Sequence, residues 1–142
     1  MARSDTVLVP IDFSRAADKA FDYALRLARA RGGKILALHA IPAEPVYPPM
    51  GGQFDFYRFL ERDARANFAK LLKRKRLQSK DCELVLARGT DFAGVIARQA
   101  QKLRVSMIVM GSHGRTGWRR FLLGSVAERT IRYAACPVLI VK

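Results

Sequence analysis

Val105-Ser106-Met107-Ile108-Val109-Met110-Gly111-Ser112-His113-Gly114-Arg115-Thr116-Gly117-Trp118-Arg119-Arg120-Phe121-Leu122-Leu123-Gly124-Ser125 reads as an apolar strand, a glycine-rich loop and the opening of a helix. Three glycines fall within 111–117 and a fourth returns at Gly124. Strand, loop and helix start in that order bind phosphate in many α/β proteins. Glycines let the backbone approach an anion, and a helix N-terminus offers free N–H groups at its positive end.

The segments on either side of this stretch extend the same alternation. Thr6 to Ile11 is a short apolar run on both faces, as expected of a strand inside a parallel sheet. Asp12-Phe13-Ser14 follows, with Ser14 as the N-cap of a helix whose apolar positions are Ala17, Ala20, Phe21, Ala24, Leu25 and Ala28. Gly32-Gly33 ends it. Lys34 to Ile41 is a second strand, and a proline- and glycine-rich connection leads to a second helix from about Phe54 to Arg76. Asp81 to Ala87 is a third strand. Arg88 to Asp91 is a turn with an N-cap, and Phe92 to Leu103 is a third helix. After Val105 to Met110, a fourth helix covers Ser125 to Ala134 and a fifth strand Pro137 to Val141.

Strands alternating with helices at this spacing predict an α/β fold, an open, Rossmann-like parallel sheet with helices on both faces. At 142 residues the whole chain, 1–142, fits one domain. Ligands of such sheets bind beyond the carboxyl ends of the strands, where the strand order reverses. Asp12, Ala40 and Gly111 each follow or end a strand, so all three are candidates for one crevice.

The net charge of +14 points either to an anionic partner or to a basic solubilising surface. No helix-turn-helix, zinc-finger or RNA-binding aromatic motif accompanies it, which weighs against sequence-specific nucleic-acid binding. No apolar run reaches the length of a membrane span, and the opening Met1-Ala2-Arg3-Ser4-Asp5 lacks a secretory signal, so a cytoplasmic location is expected. Cys82 and Cys136 belong to no metal-spaced cluster and read as small buried thiols.

Two phosphate signatures are absent: the Gly-x-x-x-x-Gly-Lys-Ser/Thr loop, and Gly-x-Gly-x-x-Gly after the first strand. In their place stands Gly111-x-x-Gly114, nine residues, then Gly124-Ser125. Ser125-Val126-Ala127-Glu128 also matches a capping box, with Glu128 reaching back to the Ser125 N–H.

That glycine spacing resembles the universal stress protein family. So do the ending Ala135-Cys136-Pro137-Val138-Leu139-Ile140-Val141, the opening Val7-Leu8-Val9-Pro10-Ile11-Asp12-Phe13-Ser14, and Leu38-His39-Ala40. The spacing is that of the family's ATP-binding branch. The resemblance implies five parallel strands in order 3-2-1-4-5 and a regulatory protein of the stress response that holds ATP with at most slow hydrolysis. Pro10, Ile11 and Asp12 would then meet adenine and ribose, with Ala40 on the adenine. Met110, Gly111, His113, Gly114 and Arg115 would border ribose and phosphates. Gly124, Ser125 and Val126 would bind phosphate through backbone N–H groups and the Ser125 hydroxyl. The resemblance also implies a homodimer built on Pro137 to Val141, a strand expected at a sheet edge.

Any metal would arrive as Mg²⁺ or Mn²⁺ on the triphosphate, since no cluster has metal spacing. Asp12 suits an adenine amine or a ribose hydroxyl, and equally a structural place at a helix start. No general base stands out, so no catalytic residue is assigned. An ATPase or an autophosphorylating enzyme acting through Ser112, Ser125 or His113 remains the alternative, with basic nucleic-acid binding behind it. Lys73-Arg74-Lys75-Arg76 reads as a solvated helix end.

Overall fold

Val7, Leu8 and Val9 are fully buried, because the strand they form is the middle of a five-stranded sheet. The computed structural model describes residues 5–43, 56–113 and 122–142. In chain order it contains β1 (Val7–Pro10), α1 (Arg15–Arg31), β2 (Ile35–Pro42), α2 (Phe56–Arg74), β3 (Cys82–Gly89), α3 (Phe92–Lys102), β4 (Met107–Gly111), α4 (Ser125–Tyr133) and β5 (Val138–Val141). The strands pair in parallel in the order β3-β2-β1-β4-β5, as the resemblance implies.

Strand side chains alternate between two cores, since successive residues face opposite sides of a sheet. Val7, Val9, Ile35, Ala37 and Val109 pack with Ala20, Phe21 and Ala24 of α1 and Phe68 and Leu71 of α2. Leu8, Leu38, Ile108 and Met110 pack with Val95, Ile96 and Ala100 of α3 and Ala127 of α4. Phe21 is fully buried, and truncating such a phenylalanine to alanine costs about 3–5 kcal/mol.

Local signals account for three of the helix ends. Ser14 caps α1, its side chain accepting from the Ala17 N–H, and Gly32 ends it at φ 63°, a left-handed conformation open to glycine. Asp91 caps α3 through the Gly94 N–H. β3 runs on through Arg88 and Gly89, which the sequence assigns to a turn. The reason is β2, which continues to Pro42 and pairs Ile41 with Arg88 and Pro42 with Gly89.

Lys75 is no solvated helix end. Its side chain is 10% exposed, and its ammonium sits 3.0 Å from Asp18 Oδ1 and 2.6 Å from Asp22 Oδ1 on α1. Arg74 also bonds Asp18. The basic end of α2 is therefore clamped to an acidic face of α1. Cys82 is buried as expected, whereas Cys136 is only half-buried. No described helix is long and apolar enough to cross a membrane.

Candidate functional site

The chain runs outward from β1 to β2 and β3, then returns to the other side of β1 for β4 and β5. The reversal lies between β1 and β4, the place where ligands of this topology bind beyond the carboxyl ends of the strands. Pro10 ends β1, Ala40 lies two residues before the end of β2, and Met110 and Gly111 end β4.

Side-chain alternation divides the expected residues. Ala40 and Met110 pack toward the face carrying α3 and α4, and Pro10 shares it through its two-residue spacing from Leu8. Ile11 is turned to the opposite face, buried at 5% exposure in the core beneath α1. Its N–H donates to the Leu38 carbonyl at 2.8 Å, and its carbonyl lies 2.8 Å from His39 Nδ1. Ile11 thus has no polar group to offer a ligand. Gly111 also faces α1: a Cβ there would stand 2.9 Å from the backbone carbon and oxygen of Ala16. That glycine is demanded by helix packing, whatever the crevice holds.

Asp12 follows β1 in a tight turn. Its Oδ1 accepts from the Ser14 N–H at 2.9 Å, and the next residue, Phe13, adopts φ 62°. A bulky residue in the left-handed region is strained and needs support from its surroundings.

The start of α4 meets the end of β4. The N-cap is Gly124, not Ser125, and it carries no side-chain cap. Glu128 does not close a capping box: its backbone N–H bonds the Gly124 carbonyl at 2.9 Å, and its carboxylate accepts from Arg132 one turn on at 2.7 Å. Ser125 is therefore the first helical residue, with an exposed side chain not engaged in capping. The Gly124 N–H is already committed to the Ser112 carbonyl at 2.7 Å. The first-turn donors of α4 are the N–H groups of Ser125, Val126 and Ala127, which have no intrahelical acceptor.

Ser112 continues the β4–β5 ladder by donating its N–H to the Val141 carbonyl at 3.1 Å. Its hydroxyl lies 2.9 Å from His113 Nδ1, and the buried His113 Nε2 has no partner among the described residues. Gly114 and Arg115 lie outside the described residues, as do Trp118, Arg119 and Arg120. No cluster of three metal-ligating side chains occurs among the described residues.

Pro10, Asp12, Ala40, Met110, Ser112 and His113 thus lie at or near the carboxyl ends of β1, β2 and β4, and the Gly124–Ser112 bond joins the start of α4 to the end of β4, while the Ile11 and Gly111 positions face α1. Sequence reading missed the bond from His39 to Ile11, which joins residues 28 apart and needs the β1–β2 register to be seen.

A family model described as the universal stress protein family matches residues 4–142. A universal stress protein of Methanocaldococcus jannaschii is 31% identical over 138 residues, covering 96% of this chain and 81% of that relative. The universal stress protein YxiE of Bacillus subtilis is 30% identical over 149 residues, covering 96% and 97%. Among solved structures, universal stress protein UspA from Lactobacillus plantarum superposes with a TM-score of 0.74 at 25% identity over the full length of both chains. The Archaeoglobus fulgidus universal stress protein in complex with dAMP superposes with a TM-score of 0.68 at 23% identity, again over both whole chains. A family match over nearly every residue and two relatives at this level of identity agree with the strand order: the chain belongs to the universal stress protein family.

Proposed function

We propose that this protein binds an adenine nucleotide, ATP, in the crevice between β1 and β4 and acts as a nucleotide-holding regulator of the stress response. The observation that carries the reading is the first turn of α4. Its Ser125, Val126 and Ala127 N–H groups have no intrahelical acceptor, and the bond from the Gly124 N–H to the Ser112 carbonyl sets this turn beside the end of β4. The dAMP complex of the Archaeoglobus fulgidus protein supports a nucleotide as the ligand class.

In this reading Pro10, Ala40 and Met110 supply an apolar wall for the base, and Asp12 accepts from the sugar or the base amine. Ser125 and Val126 hold phosphate through their N–H groups, with the Ser125 hydroxyl as a further donor. Gly124 shapes the cradle without donating to it. Gly114 and Arg115 complete the phosphate border by their place in the glycine motif. Mg²⁺ or Mn²⁺ would accompany the triphosphate and would offset part of its charge. Calorimetric titration of the purified protein with ATP and AMP tests this. Binding at micromolar to millimolar concentration is expected, and its absence overturns the reading.

A second reading rests on the 2.9 Å contact between Ser112 Oγ and His113 Nδ1. The Ser112 oxygen would form a bond to the γ-phosphorus as its proton passes to His113, while the bond from that phosphorus to the β–γ bridging oxygen breaks and ADP leaves. Intact-mass measurement after incubation with ATP and Mg²⁺ decides it. One added phosphoryl group, lost in Ser112→Ala, supports transfer, and an unmodified parent removes it.

The protein is also proposed to form a homodimer along β5. Among the described residues that strand pairs only with β4, and α4 beside it leaves Val126, Ile131 and Tyr133 exposed.

A further inference from the structure

β1 leaves the sheet before β2 does. Their last shared ladder bond is the Ile11 N–H to the Leu38 carbonyl, at 2.8 Å, while β2 continues to Pro42. The next bond is made by a side chain. A carbonyl oxygen only accepts, so the His39 Nδ1 that lies 2.8 Å from the Ile11 carbonyl carries the hydrogen and donates it. The imidazole also packs against the Phe13 ring, with centroids 5.1 Å apart at 40°. Phe13 holds φ 62°, and Ser14 beyond it is fixed as the N-cap of α1.

The turn from Ile11 to Ser14 is therefore held at both ends. His39 grips the carbonyl before Asp12 and the ring after it, and the α1 cap holds the far side. Asp12 lies between these anchors, with one carboxylate oxygen bound to the Ser14 N–H at 2.9 Å. A strained residue persists only where its neighbours over-determine it, and His39 is the neighbour that contacts the turn on both sides of Asp12.

We propose that His39 is a positioning residue: it sets the direction of the Asp12 carboxylate and, through it, selects ribonucleotides over deoxyribonucleotides. His39 faces the α1 side of the sheet, with Phe13, and away from Ala40 and Met110. It acts by holding Asp12 where the carboxylate accepts from a ribose hydroxyl. The proposal rests on the nucleotide reading above and deepens it, naming the sugar as the part of the ligand that His39 controls.

Calorimetric titration with ATP, 2′-deoxy-ATP, 3′-deoxy-ATP and inorganic triphosphate tests it. The parent is expected to prefer ATP over at least one deoxy analogue by about tenfold, the worth of one hydrogen bond to a charged acceptor. His39→Leu removes the donor and should bring ATP and the analogues to parity, with triphosphate binding unchanged. His39→Asn keeps an N–H close to the Nδ1 position and should restore the preference. His39→Gln places its amide too far out and should behave like His39→Leu, which keeps the test sound if the leucine variant folds poorly. In an Asp12→Ala background, His39→Leu should change nothing further, because the two residues act as one unit.

A folded His39→Leu or His39→Gln protein that retains the ribose preference overturns the proposal. So does an equal loss of ATP and triphosphate affinity, which would mark a general structural role. A parent that binds ATP without sugar discrimination overturns the assignment of Asp12 to the sugar and the proposal with it. A parent that binds none of the four ligands fails the nucleotide reading itself, a separate and recognisable result.

Discussion

The Gly124 N–H donates to the Ser112 carbonyl across 2.7 Å, so the end of β4 and the cap of α4 are joined directly. Whatever the intervening loop does, its two ends meet at one hydrogen bond, and the first-turn donors of α4 are aimed from that junction. The glycine matters here through proximity, since its φ of −62° is open to any residue. A Cβ at position 124 would stand 3.0 Å from the Ser112 oxygen and 3.4 Å from the His113 Cα.

Gly124→Val should therefore push Ser112 and α4 apart. The expected outcome is at least a tenfold loss of ATP affinity by calorimetry, with a stability cost of about 1 kcal/mol in urea unfolding. Affinity equal to that of the parent would disconnect this junction from ligand binding.

Gly111→Ala tests a different demand. Its Cβ would press on the Ala16 backbone at 2.9 Å, and backbone cannot swing aside as a side chain does. A destabilisation of about 1–3 kcal/mol is expected from such overpacking. It should appear as a lower urea midpoint with an unchanged slope. Ala16→Gly should relieve it only in part, because the backbone contact remains.

These two glycines show how far the sequence is legible. Both belong to one spacing motif, yet one packs a helix onto the sheet and the other shapes a helix cap. Period and composition reveal where strands and helices lie, because each apolar run must bury itself. They reveal Ser14, Gly32 and Asp91 as caps, because capping is local. They do not reveal that Gly124 displaces Ser125 as the cap of α4, because that depends on Ser112 reaching it from β4. Nor do they reveal that Lys75 closes on Asp18 and Asp22, an ion pair between helices that meet only in the fold.

Cys82 gives a pH test independent of any ligand. Burial pushes its thiol from the usual 9.0 up to about 12; the neighbouring Asp81 and Glu83 charges add to the rise, and a backbone hydrogen bond from Ala37 opposes it. Below pH 9 the thiol is protonated in both folded and unfolded chains, and stability does not depend on it. Between about 9 and about 12 the unfolded chain loses this proton first, so stability falls by roughly 1.4 kcal/mol per pH unit on this account. Lysines also titrate in this range, so the measurement is a difference. Urea unfolding of the parent should fall more steeply with pH than that of Cys82→Ala. Parallel slopes would show that the thiolate is accommodated in the fold.

The proposed dimer has a test set by ladder geometry. The carbonyls of Pro137 and Val141 accept from Ile108 and Ser112 of β4 and its extension, so alternate residues of β5 turn their backbone groups toward β4. Val138 and Ile140 lie between them and present their N–H and carbonyl groups to the open edge. Ile140→Pro then removes an outward donor while sparing the bonds to β4, the one kind of strand position where proline is tolerated. Sedimentation equilibrium should find the parent as a dimer at micromolar concentration and Ile140→Pro as a folded monomer. A dimer that survives this substitution would place the contact elsewhere, with Val126, Ile131 and Tyr133 of α4 as the next apolar surface to alter.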